Sequence, residues 1–377
     1  MSTFRELVKK LQRDIIGPVD QQLIEYAFEK NPTQARLDEL LAVWDIEVAG
    51  AGKAMALAYV KNEHPELTFN NYTGPRLSGL FNRTRFANLQ LISHYIKIGR
   101  ALNKDGIVPL LMKGGAMKYL RPERPRIMGD FDILVRDEKQ FLRACEIIKS
   151  LGYYIGDDNE VHSKDFKEPV NGTGVIDVHR YLDFGKPCDA EFTERLFGEA
   201  TKVRAFGVET FLPRHEDLAF IAIANLSKNL RNTTSIPSIV NVAFDVAWLV
   251  QSKPDFAWQH VYEDVRMTGM EYAFAAATAF IDENIRGVLP PEAVDYSSFG
   301  RELTDYCNEV WFTLYHRDPV RMRCKKLRIG KAFRSWQSFK TYVSDELYHQ
   351  VLKHIDDHPR CVAWWLKHFD KEVGNAR

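Results

Sequence analysis

Arg126-Ile127-Met128-Gly129-Asp130-Phe131-Asp132-Ile133-Leu134-Val135 is the stretch on which the reading of this chain turns. Its last three residues are apolar and predict a strand directly after Asp132. Side chains two apart on a strand face the same side. Asp130 and Asp132 therefore present their carboxylates together, while Phe131 and Ile133 turn to the opposite side, toward a core. Two carboxylates on one face suit Mg²⁺, which takes oxygen ligands and usually shares its shell with substrate phosphates. Alone, Asp-x-Asp is a weak signal, because surface turns contain it often.

The flanks add to it. Val108 to Met112 is a short apolar run, and Lys113-Gly114-Gly115 follows at once, ahead of a brief helix over Ala116 to Leu120. Glycines at such a junction let backbone N–H groups approach an anion, and a helix N-terminus favours its charge. A tight turn before a helix is the plain alternative. The pattern is not a P-loop, since the spaced glycines and the Lys-Ser/Thr ending are absent. Downstream, Glu138 to Leu151 predicts an amphipathic helix stopped by Gly152. Strand-like pieces follow at Tyr153 to Ile155 and, after the turn at Asn171-Gly172, at Val175 to Leu182. On the latter, Asp177 and His179 share one face and Ile176 and Val178 the other. A strand placed beside the Asp-x-Asp strand would bring Asp177 to the metal pair; a solvated carboxylate is the alternative. His179 is an accessory candidate, placed to orient Asp177, to touch an acceptor, or to make a structural hydrogen bond.

Around this unit the chain reads as helix. A capping box at Thr3-x-x-Glu6 leads into Leu7, Leu11, Ile15 and Ile16, and Leu37 to Tyr59 is a second stretch. Asn70 to Leu80, with Gly74-Pro75, breaks the pattern and reads as a connection. Helical spacing resumes from Phe86 through Leu89, Ile92, Tyr95, Ile96, Gly99 and Leu102. Later helices are predicted over Asp217–Asn229, Ile239–Val250, Trp258–Met267 and Met270–Ile285. The C-terminal stretch keeps helical spacing and carries Trp311, Trp336, Trp364 and Trp365 as core or interface anchors. The expected class is α+β. A small mixed sheet in a core over 83–200 lies between an N-terminal helical region over 1–82 and a C-terminal helical domain over 201–377.

Composition removes several function classes. Basic and acidic residues number 51 each, so the net charge is zero. A protein that coats long nucleic acids usually has a basic excess, whereas a local basic pocket is compatible with neutrality. The best apolar run, Leu218 to Leu226, is interrupted by Asn225 and falls short of the roughly 18 residues a membrane span needs. With no apolar signal core at the N-terminus, the expected location is the cytoplasm. Cys145, Cys188, Cys307, Cys324 and Cys361 form no Cys-x-x-Cys pair, which favours free thiols over a disulfide framework or zinc knuckle. His354-x-x-x-His358 has metal-pair spacing but no intervening Glu, and Pro359 follows it. The basic run Arg321 to Arg328 reads first as a solvated surface, and second as a steering patch for an RNA or a phosphorylated acceptor.

The order strand, Gly-Gly, helix, Asp-x-Asp strand, helix, Asp strand resembles the nucleotidyltransferase superfamily of DNA polymerase β. The closer likeness is to a bacterial family of largely uncharacterised nucleotidyltransferases. Leu111-Met112-Lys113-Gly114, Arg126 to Val135 and Ile176-Asp177-Val178-His179 match its motifs. Pro213 to Leu218 and Phe244 to Leu249 look like its helical C-terminal segment, so the likeness runs from Phe86 to roughly Pro290. The chain departs from the family at Asn225, where a His is frequent.

This resemblance implies a polymerase β-like core and Mg²⁺- or Mn²⁺-dependent transfer of a nucleoside monophosphate from an NTP, with AMP from ATP expected, to a hydroxyl. Asp130 and Asp132 would bridge two metal ions, and Asp177 would bind the one that activates the hydroxyl. Lys113, Gly114 and Gly115 would hold the triphosphate, and Arg126 would pair with a phosphate. Neutral charge favours a small-molecule or protein acceptor over a nucleic-acid end, and no membrane partner is expected. Two other readings stand beside it. A glycosyltransferase using Asp-x-Asp is disfavoured by the Gly-Gly turn and the third Asp. A non-catalytic binding or toxin-neutralising module is disfavoured by three intact carboxylates.

Overall fold

Asn70 sets the start of the longest helix. Its side-chain Oδ1 accepts from the backbone N–H groups of Tyr72 (3.1 Å) and Thr73 (2.7 Å), as a capping residue does. Helix Thr73–Lys104 follows, and Gly74-Pro75 lies in its first turn, where proline's missing N–H costs nothing. The connection expected over Asn70 to Leu80 is therefore mostly helix. Leu77, Asn88, Leu91, Ile92, Tyr95, Ile98 and Leu102 form its buried stripe. Phe86 and Leu89, counted in the periodic set, are 67% and 51% exposed instead.

In this computed structural model the described residues are 18–284, apart from 45, 47–50, 157–161, 171, 173, 185–187, 189 and 233–235, together with 288, 289 and 293. Outside them lie the Thr3–Glu6 capping box and its apolar residues, Asn171 of the expected turn, Cys307, Cys324 and Cys361. The same holds for the Arg321–Arg328 run, His354, His358 and the tryptophans from Trp311 onward.

The elements in chain order begin with α1 (Pro18–Ala27), α2 (Gln34–Val43), α3 (Ala51–Glu63) and α4 (Thr73–Lys104). Then come β1 (Leu110–Leu111), α5 (Lys113–Leu120), β2 (Asp132–Leu134), α6 (Glu138–Ser150), β3 (Tyr154–Ile155), β4 (Ser163–Lys167) and β5 (Gly174–His179). The remainder is α7 (Ala190–Glu199), β6 (Thr201–Ala205), β7 (Val208–Leu212), α8 (His215–Asn232), α9 (Ile236–Ser252), α10 (Trp258–Thr268) and α11 (Glu271–Asn284). The α+β class holds. One mixed seven-stranded sheet runs in the order β3-β4-β5-β2-β1-β7-β6. It does not end at residue 200: the β6–β7 hairpin over 201–212, expected to be helical territory, joins the sheet where Leu110 of β1 pairs parallel with Phe211 of β7.

The two faces of the sheet have different neighbours. Phe131, Ile133, Val135, Ile176 and Val178 share a core cluster with Tyr95, Ile98 and Leu102 of α4 and Ile148 of α6. Leu110, Met112 and Leu134 point the other way, into a cluster with α1–α3 and α7–α11. The N-terminal helices thus share a core with the C-terminal ones. Asp132 alternates with Ile133 and so faces the α8–α9 side. No described helix is long and apolar enough to cross a membrane.

Candidate active site

The register of two parallel strands builds the site. Asp132 of β2 stands beside Asp177 of β5, and Leu134 beside His179. Backbone bonds lock this pairing: Phe131 N–H donates to Val175 O (3.2 Å), Asp177 N–H to Phe131 O (3.1 Å) and Val135 N–H to His179 O (3.0 Å). The two carboxylates and the imidazole of His179 then offer ligand atoms all within 4.8 Å of one another. Asp177, expected beside the Asp130–Asp132 pair, stands beside Asp132. Asp130 precedes the strand on a bend, half-buried, and is not one of this close trio.

His179 is central. Its Nε2 lies 3.2 Å from Asp132 Oδ1 and 2.9 Å from Asp177 Oδ2. Both atoms are acceptors, so this nitrogen carries the hydrogen. Burial alone would lower the His179 pKa, but Asp177 and Asp132 outweigh it and lift it to about 9. Lys113, at the entry to α5, places its Nζ 2.5 Å from Asp132 Oδ1. Its backbone has φ = +44°, a left-handed conformation unusual for a residue with a side chain and typical of functional turns. Burial opposes the charge on Lys113, but Asp132 and Asp177 carry its pKa upward.

The acids respond in different directions. Burial raises the pKa of Asp132, yet Lys113 and His179 overcome it and hold that carboxyl well below the usual range. Asp177 is also lowered, burial being outweighed by His179. Asp130 is pushed up to about 7, chiefly by the Asp132 charge and then by burial. Such divergence among neighbouring acids is common at functional sites. Asp177 Oδ1 is buried with no hydrogen-bond partner, and a stranded carboxylate oxygen is what a hard cation satisfies. Asp132 and Asp177 thus fit a metal ion by donor type and by this vacant valence, with His179 beside them as hydrogen-bond donor to both.

Gly114 and Gly115 have a packing reason to lack side chains. A Cβ on Gly114 would meet Met128 Sδ at 2.5 Å and Arg126 Nη1 at 2.8 Å; one on Gly115 would meet Phe131 Cε1 at 2.6 Å. They let α5 close against the segment that carries Asp130 and Asp132. The first-turn N–H groups of α5 have no intrahelical acceptor, as at any helix start. Arg126 donates through Nε to Asp245 Oδ2 of α9 at 2.9 Å, and its backbone is clamped by the Asn88 amide (2.8 and 3.0 Å).

Other neighbours of the site were not expected from the sequence. Asp165 and Ser163 of β4 stand opposite Asp177 and His179 in the antiparallel register. Ser-Lys-Asp-Phe-Lys is too polar to announce a strand, though its Ser163/Asp165 alternation is a signal in retrospect. Asp245, the partner of Arg126, is 119 residues away and has no local signature. Asn225 lies half-buried on α8.

A family model described as an uncharacterised nucleotidyltransferase matches residues 57–285. It starts within α3, upstream of the motifs, and ends at the close of α11. No curated protein and no solved structure matches the chain.

Proposed function

The chain belongs to that uncharacterised nucleotidyltransferase family, and from this premise we propose that it transfers a nucleoside monophosphate, AMP from ATP in the first instance, to a hydroxyl of a small-molecule or protein acceptor in the cytoplasm. The observation that carries the reading is the Asp132–Asp177–His179 cluster at the mouth of α5, with an unsatisfied Asp177 oxygen. Held by Asp132 and Asp177 with Asp130 beside them, a divalent cation (Mg²⁺ or Mn²⁺) would neutralise developing phosphoryl charge and polarise the acceptor oxygen. As a hydrogen-bond donor, His179 orients both carboxylates.

The remaining roles belong to this chain's own groups. The N–H groups of Lys113, Gly114 and Gly115, with the Lys113 ammonium, meet the triphosphate at the positive end of α5. Arg126, braced by Asp245, adds a guanidinium beside Gly114. Asp177, kept ionised, receives the acceptor hydroxyl and its proton. The acceptor oxygen forms a bond to the α-phosphorus, the α–β bridging bond breaks, and pyrophosphate leaves with the electron pair. Incubation with each α-³²P-labelled NTP, Mg²⁺ or Mn²⁺ and a cell extract tests the reading. Label should appear on an acceptor with wild type and not with Asp130→Asn/Asp132→Asn. Absence of labelled product with every nucleotide and both metals would remove the proposal.

A further inference from the structure

Across α5 from the carboxylates lies a cavity of opposite charge. Lys118, Arg121, Arg124 and Arg126 line it with Tyr59 and Asp245, around a space of about 330 Å³ counting its open mouth. Two of the four cations are committed. Lys118 donates to the carbonyl oxygens of Pro122 and Arg124, bracing the loop, and Arg126 is bound by Asp245.

Arg121 and Arg124 are not satisfied in this way. Glu63 approaches Arg124 Nε at 3.6 Å and Arg121 Nη2 at 4.0 Å, and Glu123 approaches Arg121 Nε at 3.5 Å. Both glutamates are largely exposed, and these separations are too long for good hydrogen bonds. Arg121 Nε, Arg124 Nε and Arg124 Nη2 are buried with no hydrogen-bond partner. Buried guanidinium donors without an acceptor are costly and call for an explanation. Arg124 is also held rigid. Its Cζ sits 3.9 Å from the Tyr59 ring centroid and 4.3 Å from that of Phe244, and the Tyr59 hydroxyl donates to Pro125 O at 2.6 Å. Tyr59 and Phe244 meet nearly at right angles, their centroids 5.2 Å apart, and the guanidinium rests in the corner they form, oriented with N–H groups that suit a planar or tetrahedral oxyanion.

We propose that this pocket is a second anion subsite, which takes a phosphoryl group on the N–H edges of Arg121 and Arg124. Its place in the reaction rests on the nucleotidyltransferase reading; its existence does not. Arg126 stands between the two sites, its Nη1 pressed against the first turn of α5 at Gly114. Lys113 and Lys118 are five residues apart on α5, about 7–8 Å along the axis. That is a span a single phosphorylated substrate can bridge. The phosphoryl group is either that of a phosphorylated acceptor or the nucleotide's own tail.

The test is calorimetric titration of sodium pyrophosphate and inorganic phosphate into the full chain in EDTA at low salt, with thermal unfolding as a second readout. Wild type should bind pyrophosphate and gain thermal stability from it. Arg121→Gln and Arg124→Gln should weaken binding at least tenfold. Should loss of the ring contacts prevent Arg124→Gln from folding, Arg121→Gln carries the comparison. No binding by wild type, or equal binding by the glutamine variants, overturns the proposal. Repeating the titration with saturating Mg²⁺ and ATP separates the sources: displacement assigns the subsite to the nucleotide's tail, co-occupancy to a phosphorylated acceptor. Intact pyrophosphate binding in a protein that transfers no labelled nucleotide would sink the transferase reading and leave the pocket standing.

Discussion

Two pairs of acids in this molecule have opposite fates. Glu216 and Asp217 open α8 and are fully buried. Lys253 Nζ donates to both oxygens of Glu216 (2.7 and 2.9 Å), and Ala257 N–H adds a third bond at 3.0 Å. Asp217 is gripped by Arg195 at 2.8 Å and by Arg214 at 3.0 and 3.2 Å. Every oxygen there has a donor, from a side chain whose own packing holds it. Asp132 is buried and Asp177 half-buried; they share one imidazole, face a third acid, and leave Asp177 Oδ1 without a partner. The first pair ties α7, α8, α9 and the approach to α10 together. The second keeps valence in reserve. The two pairs differ most in how fully their oxygens are saturated.

The contrast breaks first, if it breaks, at Asp130→Asn/Asp132→Asn. Nucleotide transfer should fall by roughly three powers of ten or more, the scale of losing metal charge stabilisation. Thermal unfolding in EDTA should also show lower stability, because Asp132 is the partner of Lys113 and His179, so transfer is compared per folded molecule. Normal turnover would mean the reaction is carried elsewhere. The mirror experiment is Asp217→Asn. Stripping the charge opposite Arg195 and Arg214 should cost about 3–5 kcal/mol in denaturant unfolding, with transfer per folded molecule unchanged. A cost of a few tenths would erase the distinction between the pairs.

Asp177→Asn sharpens the comparison within the site. Transfer should drop roughly a hundredfold, as for loss of a positioned base, while NTP affinity stays within a few-fold. Equal loss of binding and rate would move Asp177 into the nucleotide's own contacts. The smallest effect is in pH dependence, and its sign differs between the pairs. Asp217 has a lowered folded pKa: burial opposes its charge, but Arg214 and Arg195 prevail. Its stabilisation is present above the unfolded value of about 3.9 and is lost as pH falls through the folded value. Asp130, raised to about 7, behaves in reverse: its contribution is present below about pH 4 and is lost as pH rises toward 7. In EDTA, Asp130→Asn should therefore gain on the order of 1 kcal/mol over wild type between pH 4 and 7. A flat difference across that range would show that Asp130 does not feel its neighbours.

The sequence disclosed the elements whose signal is local. Glu138 to Ser150 is a helix with Asp137 capping Gln140 N–H at 2.8 Å and Gly152 beyond its end at φ = +94°, close to the expected limits. Phe131, Ile133, Ile176 and Val178 are buried on the face that alternation assigned to them. Elements whose signal is weak or divided did not show. Thr73 begins a helix because Asn70 caps it, and Pro75 hid that beginning. Strands β4 and β6 are mostly polar or exposed; β4 is held between β3 and β5, and the edge strand β6 pairs with β7. At the site, residue types were legible and partnerships were not. Asp132 and Asp177 were candidates on their strands, but their register is set by a parallel pairing across 45 positions, a relation no window contains. Lys113 was read as a phosphate ligand; its ion pair with Asp132 required the helix start at Lys113 and not Ala116.

The strand order has a consequence for how the molecule breathes. β5 and β2 are the third and fourth of seven strands, each flanked on both sides. Amides in the middle of a sheet exchange with solvent only through the larger openings, whereas fraying begins at β3 and β6 on the margins. The amide protons of Phe131, Val135 and Asp177 should thus persist longest in deuterium oxide, while those of the marginal strands β3 and β6 vanish first. The carboxylates are held by the part of the sheet that opens last.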